Sequence, residues 1–205
     1  MEIMCYDQRE NNPFSSRKIT GFIGEKKDLE AILPNCKIKN IKENKKVKRI
    51  IKNSKKELNL LGLSKDILKR KFKDLSYGEK KLISLIAACR EKPALVALNN
   101  FDLGFNNKIK SKISKYIKTI NATYNINFII ISNDLIFINK NAKHIIIAKG
   151  KIIKYQGDII TALKQNLLEK PEIIKFIDLA NEKGANINYT LDGKELLKSI
   201  YRSVF

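Results

Sequence analysis

Leu75–Asn106, LSYGEKKLISLIAACREKPALVALNNFDLGFN, is the stretch whose reading decides the fold. It opens on Ser76-Tyr77-Gly78-Glu79, a Ser-x-x-Glu pattern in which the serine oxygen accepts from the Glu79 backbone N–H while Glu79 reaches back to the cap. A helix is expected to follow. Its second half (Leu82, Ile83, Leu85, Ile86, Ala87, Ala88, Cys89) is apolar nearly all round, so it should be buried. Pro93 closes the helical region. Ala94 to Leu98 is then a short apolar run, as expected of a buried parallel strand. It empties into a polar turn at Asn99-Asn100, the end of a strand at which an open α/β sheet usually carries its chemistry.

This succession resembles the ATP-binding subunits of ABC transporters. Their signature, LSGGQ or LSGGE, caps a helix leading into the Walker B strand, and here the signature reads LSYGE at 75–79. Walker B, normally four apolar residues and then Asp-Glu-Pro-Thr, reads Leu95-Val96-Ala97-Leu98 and then Asn99-Asn100-Phe101-Asp102. The D-loop, usually ending Leu-Asp, reads Phe105-Asn106. The frame is kept while most of the chemistry is replaced.

Upstream, Ile19–Ile23 followed by Gly24 aligns with the strand that feeds the family's P-loop. A working P-loop, G-x-x-x-x-G-K-[ST], curls consecutive backbone N–H groups round the phosphates and sends its lysine to the β/γ oxygens. Here no second glycine and no Ser/Thr follow, and the segment is about four residues too short for that loop. Gly24, Lys26 and Lys27 are the candidate remnant, and the two lysines read equally as ordinary surface residues. Residues 35–73 are strongly basic, and apolar Ile50, Ile51, Leu58, Leu61, Ile67 and Leu68 have helical spacing. The segment LNLLGLSKDILKRKFKDLSYGEKK resembles the helical subdomain of energy-coupling-factor ATPases, which docks their transmembrane partner. A basic amphipathic helix for nucleic acid or acidic lipid is the other reading. Base stacking has no support beyond Phe72, which argues against nucleic acid.

Downstream, residues 106–120 read as an amphipathic helix (Ile109, Ile113, Ile117, Ile120), and Ile126–Ile131 as a second buried strand. That strand ends at Ser132-Asn133-Asp134, where the family has Ser/Thr-His-Asp and the histidine contacts the γ-phosphate. Asn133 takes the histidine's place. Lys143–Ala148 and Lys151–Tyr155 suggest a β-hairpin about Lys149-Gly150, with His144 at a strand end. One histidine cannot make a metal site. Helices are expected over 158–170, 171–183 and 191–202, and this tail again resembles the energy-coupling-factor class. The resemblance spans residues 47–202 well and 1–46 poorly.

Lys+Arg number 41 against 21 Asp+Glu, a formal net charge of +20 in 205 residues. Such a balance permits contact with nucleic acid or an anionic membrane surface, but the charge is not gathered into one arm or helix face, and Lys, Ile and Asn dominate throughout. Cys5, Cys36 and Cys89 are odd in number and far apart, which excludes a disulfide framework and a zinc site and suits a reducing cytosol. No apolar run approaches the roughly 20 residues of a membrane-spanning helix. The polar start MEIMCYDQRENNPF is not expected to be a signal peptide.

The expected fold is therefore α/β: a P-loop NTPase-like ABC ATPase domain with a central, mostly parallel sheet. Its N-terminal half and helical subdomain are shortened. Residues 1–160 form this domain, residues 41–90 hold the helical remnant and signature helix, and residues 161–205 form a helical extension. The resemblance implies an energy-coupling-factor-like uptake system in which no catalytic residue is intact, since Asn99, Asn100 and Asn133 stand at the degenerate positions. An amide is neutral, binds Mg²⁺ weakly and takes no proton as a carboxylate does. Ser76, Gly78 and Glu79 remain to face a nucleotide held by another subunit, because ABC subunits pair head to tail. ATP and Mg²⁺ are then expected only at a site shared with a competent ABC ATPase. A transmembrane coupling subunit would hold the pair at the inner face of the membrane. A non-nucleotide-binding scaffold of the same fold, or a basic nucleic-acid module, are the alternatives.

Overall fold

The computed structural model describes residues 2–7, 19–34, 37–52 and 54–204. Cys36 and most of the N-terminal segment read above lie outside them. A seven-stranded sheet runs through the molecule in the order β3-β1-β4-β5-β2-β6-β7. Its centre is four parallel strands: β4 (Leu95–Asn99), β5 (Asn127–Ile131), β2 (Ile19–Ile23) and β6 (His144–Lys149). Antiparallel strands flank it, with β1 (Glu2–Tyr6) and β3 (Lys37–Ile38) at one side and β7 (Ile152–Gly157) at the other. The fold is an α/β sandwich around a mostly parallel sheet.

The parallel strands are apolar at nearly every position because both faces are covered. In β4, Val96 and Leu98 join the larger core while Leu95 and Ala97 join the smaller; in β5, Phe128 and Ile130 part from Ile129 and Ile131 in the same way. The smaller core also takes Phe22 and, from the α1 (Lys26–Ile32) segment, Leu29 and Leu33, all essentially inaccessible. The larger core is roofed by α4 (Tyr77–Arg90), α5 (Asn107–Tyr124) and α6 (Leu135–Asn141). Cys89 is fully buried there, and that burial pushes its thiol far above its ordinary range, so it serves as packing.

β1 has no counterpart in the sequence reading. Ile3 and Cys5 face the larger core and Met4 and Tyr6 the smaller, so the strand carries no polar alternation to betray it. The helical remnant is also more broken than its periodicity predicts. It consists of α2 (Val47–Ile51), α3 (Lys55–Leu61) and a 3₁₀ turn at Lys65–Lys69, because Gly62 adopts φ +72° and ends α3. Likewise α7 spans only Ile159–Lys164, ahead of Asn166 at φ 55°, whereas a helix to residue 170 was expected. α5 runs four residues beyond its expected end. α8 (Glu172–Glu182) and α9 (Gly193–Val204) complete the chain, and Ile174 and Ile177 of α8 sit in the larger core. Among the described residues no helix is long and apolar enough to cross a membrane.

The closest packing across β2 lies at Gly21. A Cβ there would collide with Ile138 Cγ2 of α6 and come within 3.0 Å of Ile145 Cγ2. Gly21→Ala should therefore destabilise the fold by about 1–3 kcal/mol, read as a lower urea midpoint at unchanged slope.

Candidate functional site

The carboxyl ends of β4, β5 and β2 bring the sequence-predicted residues to one edge of the sheet. Asn99 closes β4 opposite Ile131. Asn100 turns the chain away at φ 48°, its N–H donating to the Ile131 carbonyl at 2.8 Å. Asn133 lies exposed just past β5. Asn133 follows the strand next to β2, while Asn99 and Asn100 end β4, one strand further away.

The β2–α1 connection is closed by the chain's own acid. Only Gly24 and Glu25 separate β2 from α1, and Asp28, at the third helical position, turns back into the gap. Asp28 is buried: Oδ2 accepts from the Glu25 N–H at 3.1 Å and Oδ1 from the Lys151 N–H at 2.7 Å. Lys151 and Gly150 both have positive φ and form the two-residue turn of the β6–β7 hairpin, so the hairpin tip is docked onto the start of α1. The Lys151 N–H, with the Glu25 N–H assisting, holds the Asp28 carboxyl below its ordinary value. A Cβ on Gly24 would come 2.7 Å from the Ala148 carbonyl, so the backbone is pressed against β6 with no loop left over. Lys26 pairs with Glu30 at 3.3 Å and Lys27 with Glu25 at 2.7 Å, both on the surface of α1.

The signature is built differently. Ser76 caps α4, its Oγ accepting from the Glu79 N–H at 3.2 Å while Glu79 Oε2 accepts from the Ser76 N–H at 2.8 Å. Arg70 clamps Glu79 at 3.0 Å and also donates to the Asp74 carbonyl. Ser76 is exposed, and its hydroxyl keeps a donor besides the bond that its oxygen accepts. Tyr77 is 63% exposed beside it. Gly78 is backed by the Phe105 ring, 3.2 Å from where a Cβ would stand.

Lys81, which the sequence reading passed over, locks this cap to the turn after β4. Its side chain is buried, and Nζ donates to the Leu103 carbonyl at 2.7 Å and the Asn100 carbonyl at 3.4 Å. The rings of Tyr77, Phe101 and Phe105 surround it at 5.3, 5.4 and 4.9 Å. Burial lowers its pKa, and nearby Asp102 opposes the shift. Asp102 is itself buried, with Oδ2 3.8 Å from Lys110 Nζ and Oδ1 unpartnered among the described residues. Lys110 also binds Asp134 at 2.7 Å. Burial alone would raise the Asp134 pKa, but Lys110 and the Phe137 N–H that it caps carry it below the ordinary value. The sequence signal for Lys81 was one of two adjacent lysines at the head of an apolar helix, and for Asp28 an acid three residues after a helix cap. Beyond this edge, a groove of about 670 Å³ opens between Asn133 and the segment before α8, lined also by Leu168, Glu169 and Pro171. Among the described residues no group of three or more His, Cys, Asp or Glu is placed to hold a metal.

No protein-family model matches the chain. It is 28% identical over 153 residues to the energy-coupling factor transporter ATP-binding protein EcfA2 of Mycoplasmopsis synoviae, covering 72% of this chain and 49% of that protein. The chain spans about half the length of the curated relatives it matches. Among solved structures it superposes on cbiO1 of Clostridium perfringens, part of the ABC transporter complex cbiONQ, with TM-score 0.58 at 12% identity, covering 86% of this chain and 94% of that one. A dimeric bacterial ABC transporter cassette gives TM-score 0.59 at 11% identity, covering 77% and 98%. The fold is that of ABC ATP-binding domains, and the sequence similarity is to the energy-coupling-factor type.

Two of the carboxylates with depressed pKa lie at this edge and contribute to the acid response. Asp28 and Asp134, each below the ordinary 3.8 when folded, contribute stability that is present above the unfolded value and lost as pH falls through the folded one. The urea midpoint should drop as pH falls below about 4. Asp28→Asn and Asp134→Asn should each lower it at pH 7 and flatten that acid limb.

Proposed function

From an ABC fold and a sequence akin to energy-coupling-factor ATP-binding proteins, we propose that this chain is the non-hydrolysing half of a paired ATP-binding unit in an energy-coupling-factor-like uptake system. The observation that carries the reading is the contrast between two helix starts. At α1, the place of the phosphate cradle, Asp28 takes the N–H groups of Glu25 and Lys151. An anionic phosphate would meet a buried carboxylate there instead of free donors. At α4, the Ser76 hydroxyl faces outward from a helix start that is intact and held by Arg70 and Lys81.

The residues at the sheet edge do not suit Mg-ATP. Asn99 and Asn100 offer neutral amides where phosphoryl transfer needs a metal-binding acid and a water-orienting acid. Asn133 offers an amide where the family has a histidine. Asp102 is no substitute base, being sealed among Lys81, Lys110 and the aromatic rings. Hydrolysis therefore belongs to a competent partner ATPase, whose bound nucleotide the 76–79 cap covers from outside, and a transmembrane coupling subunit links the pair to the membrane. Gly24, Lys26 and Lys27 take no part in holding phosphate. A scaffold that never meets nucleotide is the second reading, favoured by exposed Tyr77 where close backbone approach would be needed.

The test is ATP turnover by the chain alone and in a complex with a competent energy-coupling-factor ATPase. The chain alone should neither bind Mg-ATP in the micromolar range nor hydrolyse it. In the complex, Ser76→Ala and Ser76→Asp should each lower turnover about tenfold or more. The aspartate keeps the helix cap and repels phosphate, so a loss with both variants is not a folding effect. An unchanged rate with both leaves the scaffold reading standing; tight binding by the isolated chain sinks the closed-cradle argument.

A further inference from the structure

The shortened helical region carries a concave site that the nucleotide reading does not use. A cavity of about 800 Å³ opens between α2, the start of α3 and the 3₁₀ turn at Lys65–Lys69. Four cations come from α2 and its flanks: Lys46, Lys48, Arg49 and Lys52. Lys55 adds a fifth from α3, and Lys65 and Lys69 close the opposite wall. Leu68 is the one apolar residue in the lining, which has no carboxylate and no aromatic ring. All seven cationic residues are exposed, while Val47, Ile51, Leu58, Leu61 and Ile67 beneath them are buried and fix the three segments against one core.

Part of the positive charge elsewhere is paired. Lys39, Lys80, Lys110, Lys170, Lys175 and Lys198 each meet a carboxylate, whereas among the described residues none of the seven does. Seven like charges around one concavity repel one another and focus a strong positive potential into it. Six of the seven are lysines, which act as mobile point charges; planar, bidentate recognition of isolated carboxylates would favour arginine. The absence of an aromatic platform leaves nothing for bases to stack on. The volume lies in the range of a small-molecule site, roughly 300–1,000 Å³.

We propose that this cavity binds a compact oligophosphate anion, its clustered charge neutralised by the lysines of α2, α3 and the Lys65–Lys69 turn. An acidic peptide spreads about one charge per residue along its backbone; an oligophosphate concentrates comparable charge in the space of a few atoms. That density matches seven cations in a single pocket. Binding to the folded chain alone raises its melting temperature and weakens with added salt.

Calorimetry and thermal shift on the full chain at low salt test this, with inorganic tripolyphosphate as the probe. The triple change Arg49→Gln, Lys52→Gln, Lys65→Gln should weaken binding by about tenfold or more and abolish the thermal shift. A control triple with the same loss of charge, at exposed Lys108, Lys115 and Lys183, should leave the affinity within about twofold. Circular dichroism establishes that both variants fold. No binding to the wild type, or equal losses in the two triples, would overturn the proposal, the second result marking a diffuse charge effect. Tighter binding of single-stranded RNA, a glutamate-rich peptide or phosphatidylglycerol vesicles than of tripolyphosphate would also overturn it.

Discussion

A parallel sheet has to be covered on both faces, and this chain meets that demand with very little material on one of them. Among the described residues, the only helix facing the smaller core is α1, seven residues long, which delivers Leu29 and, just past its end, Leu33. To lay those leucines over Phe22, Ile129 and Ile146, α1 has to start almost directly after β2. The two-residue connection at Gly24-Glu25 follows from that geometry. Packing thus decides the chemistry of the edge: a helix drawn so close leaves no loop of free N–H groups, and Asp28 takes the N–H of the cap residue Glu25 and that of Lys151.

What the sequence disclosed depended on how local each feature is. β4 and β5 were legible because strands buried on both faces are short, unbroken apolar runs. The capping box at Ser76-Glu79 was legible because both of its bonds lie within four residues. β1 was not, since its five residues show neither alternation nor a flanking turn signal, and its place depends on pairing with β4 some ninety residues away. The Asp28–Lys151 contact spans 123 positions and has no local trace. Lys81 showed only as a charge before an apolar run; its cage of carbonyls and rings exists because α4 and the turn after β4 converge. The helical spacing around residues 58–68 was real but concealed the break at Gly62, where a single left-handed residue outweighs the apolar period.

The large positive charge also divides into physically distinct parts. Some lysines are structural, as Lys81 and Lys110 are, joining turns to helices beneath the sheet edge. Others are surface partners of Asp or Glu and contribute little. The cluster on the helical remnant belongs to neither group, being exposed, mutually repelling and mounted on a well-packed base. Net charge counted over the whole chain cannot make this distinction, because it depends on where the carboxylates lie.

The hairpin tip seated on Asp28 makes the connection before α1 resist lengthening. Inserting a few residues after Gly24 would not by itself create a phosphate-binding loop. The insertion would lift Asp28 from the Lys151 N–H, stranding a carboxylate and an amide between α1 and β6–β7. Any lengthening of this connection would cost stability first. The helix start and the hairpin tip thus act as a latch: neither segment can change its length unless the other shifts with it.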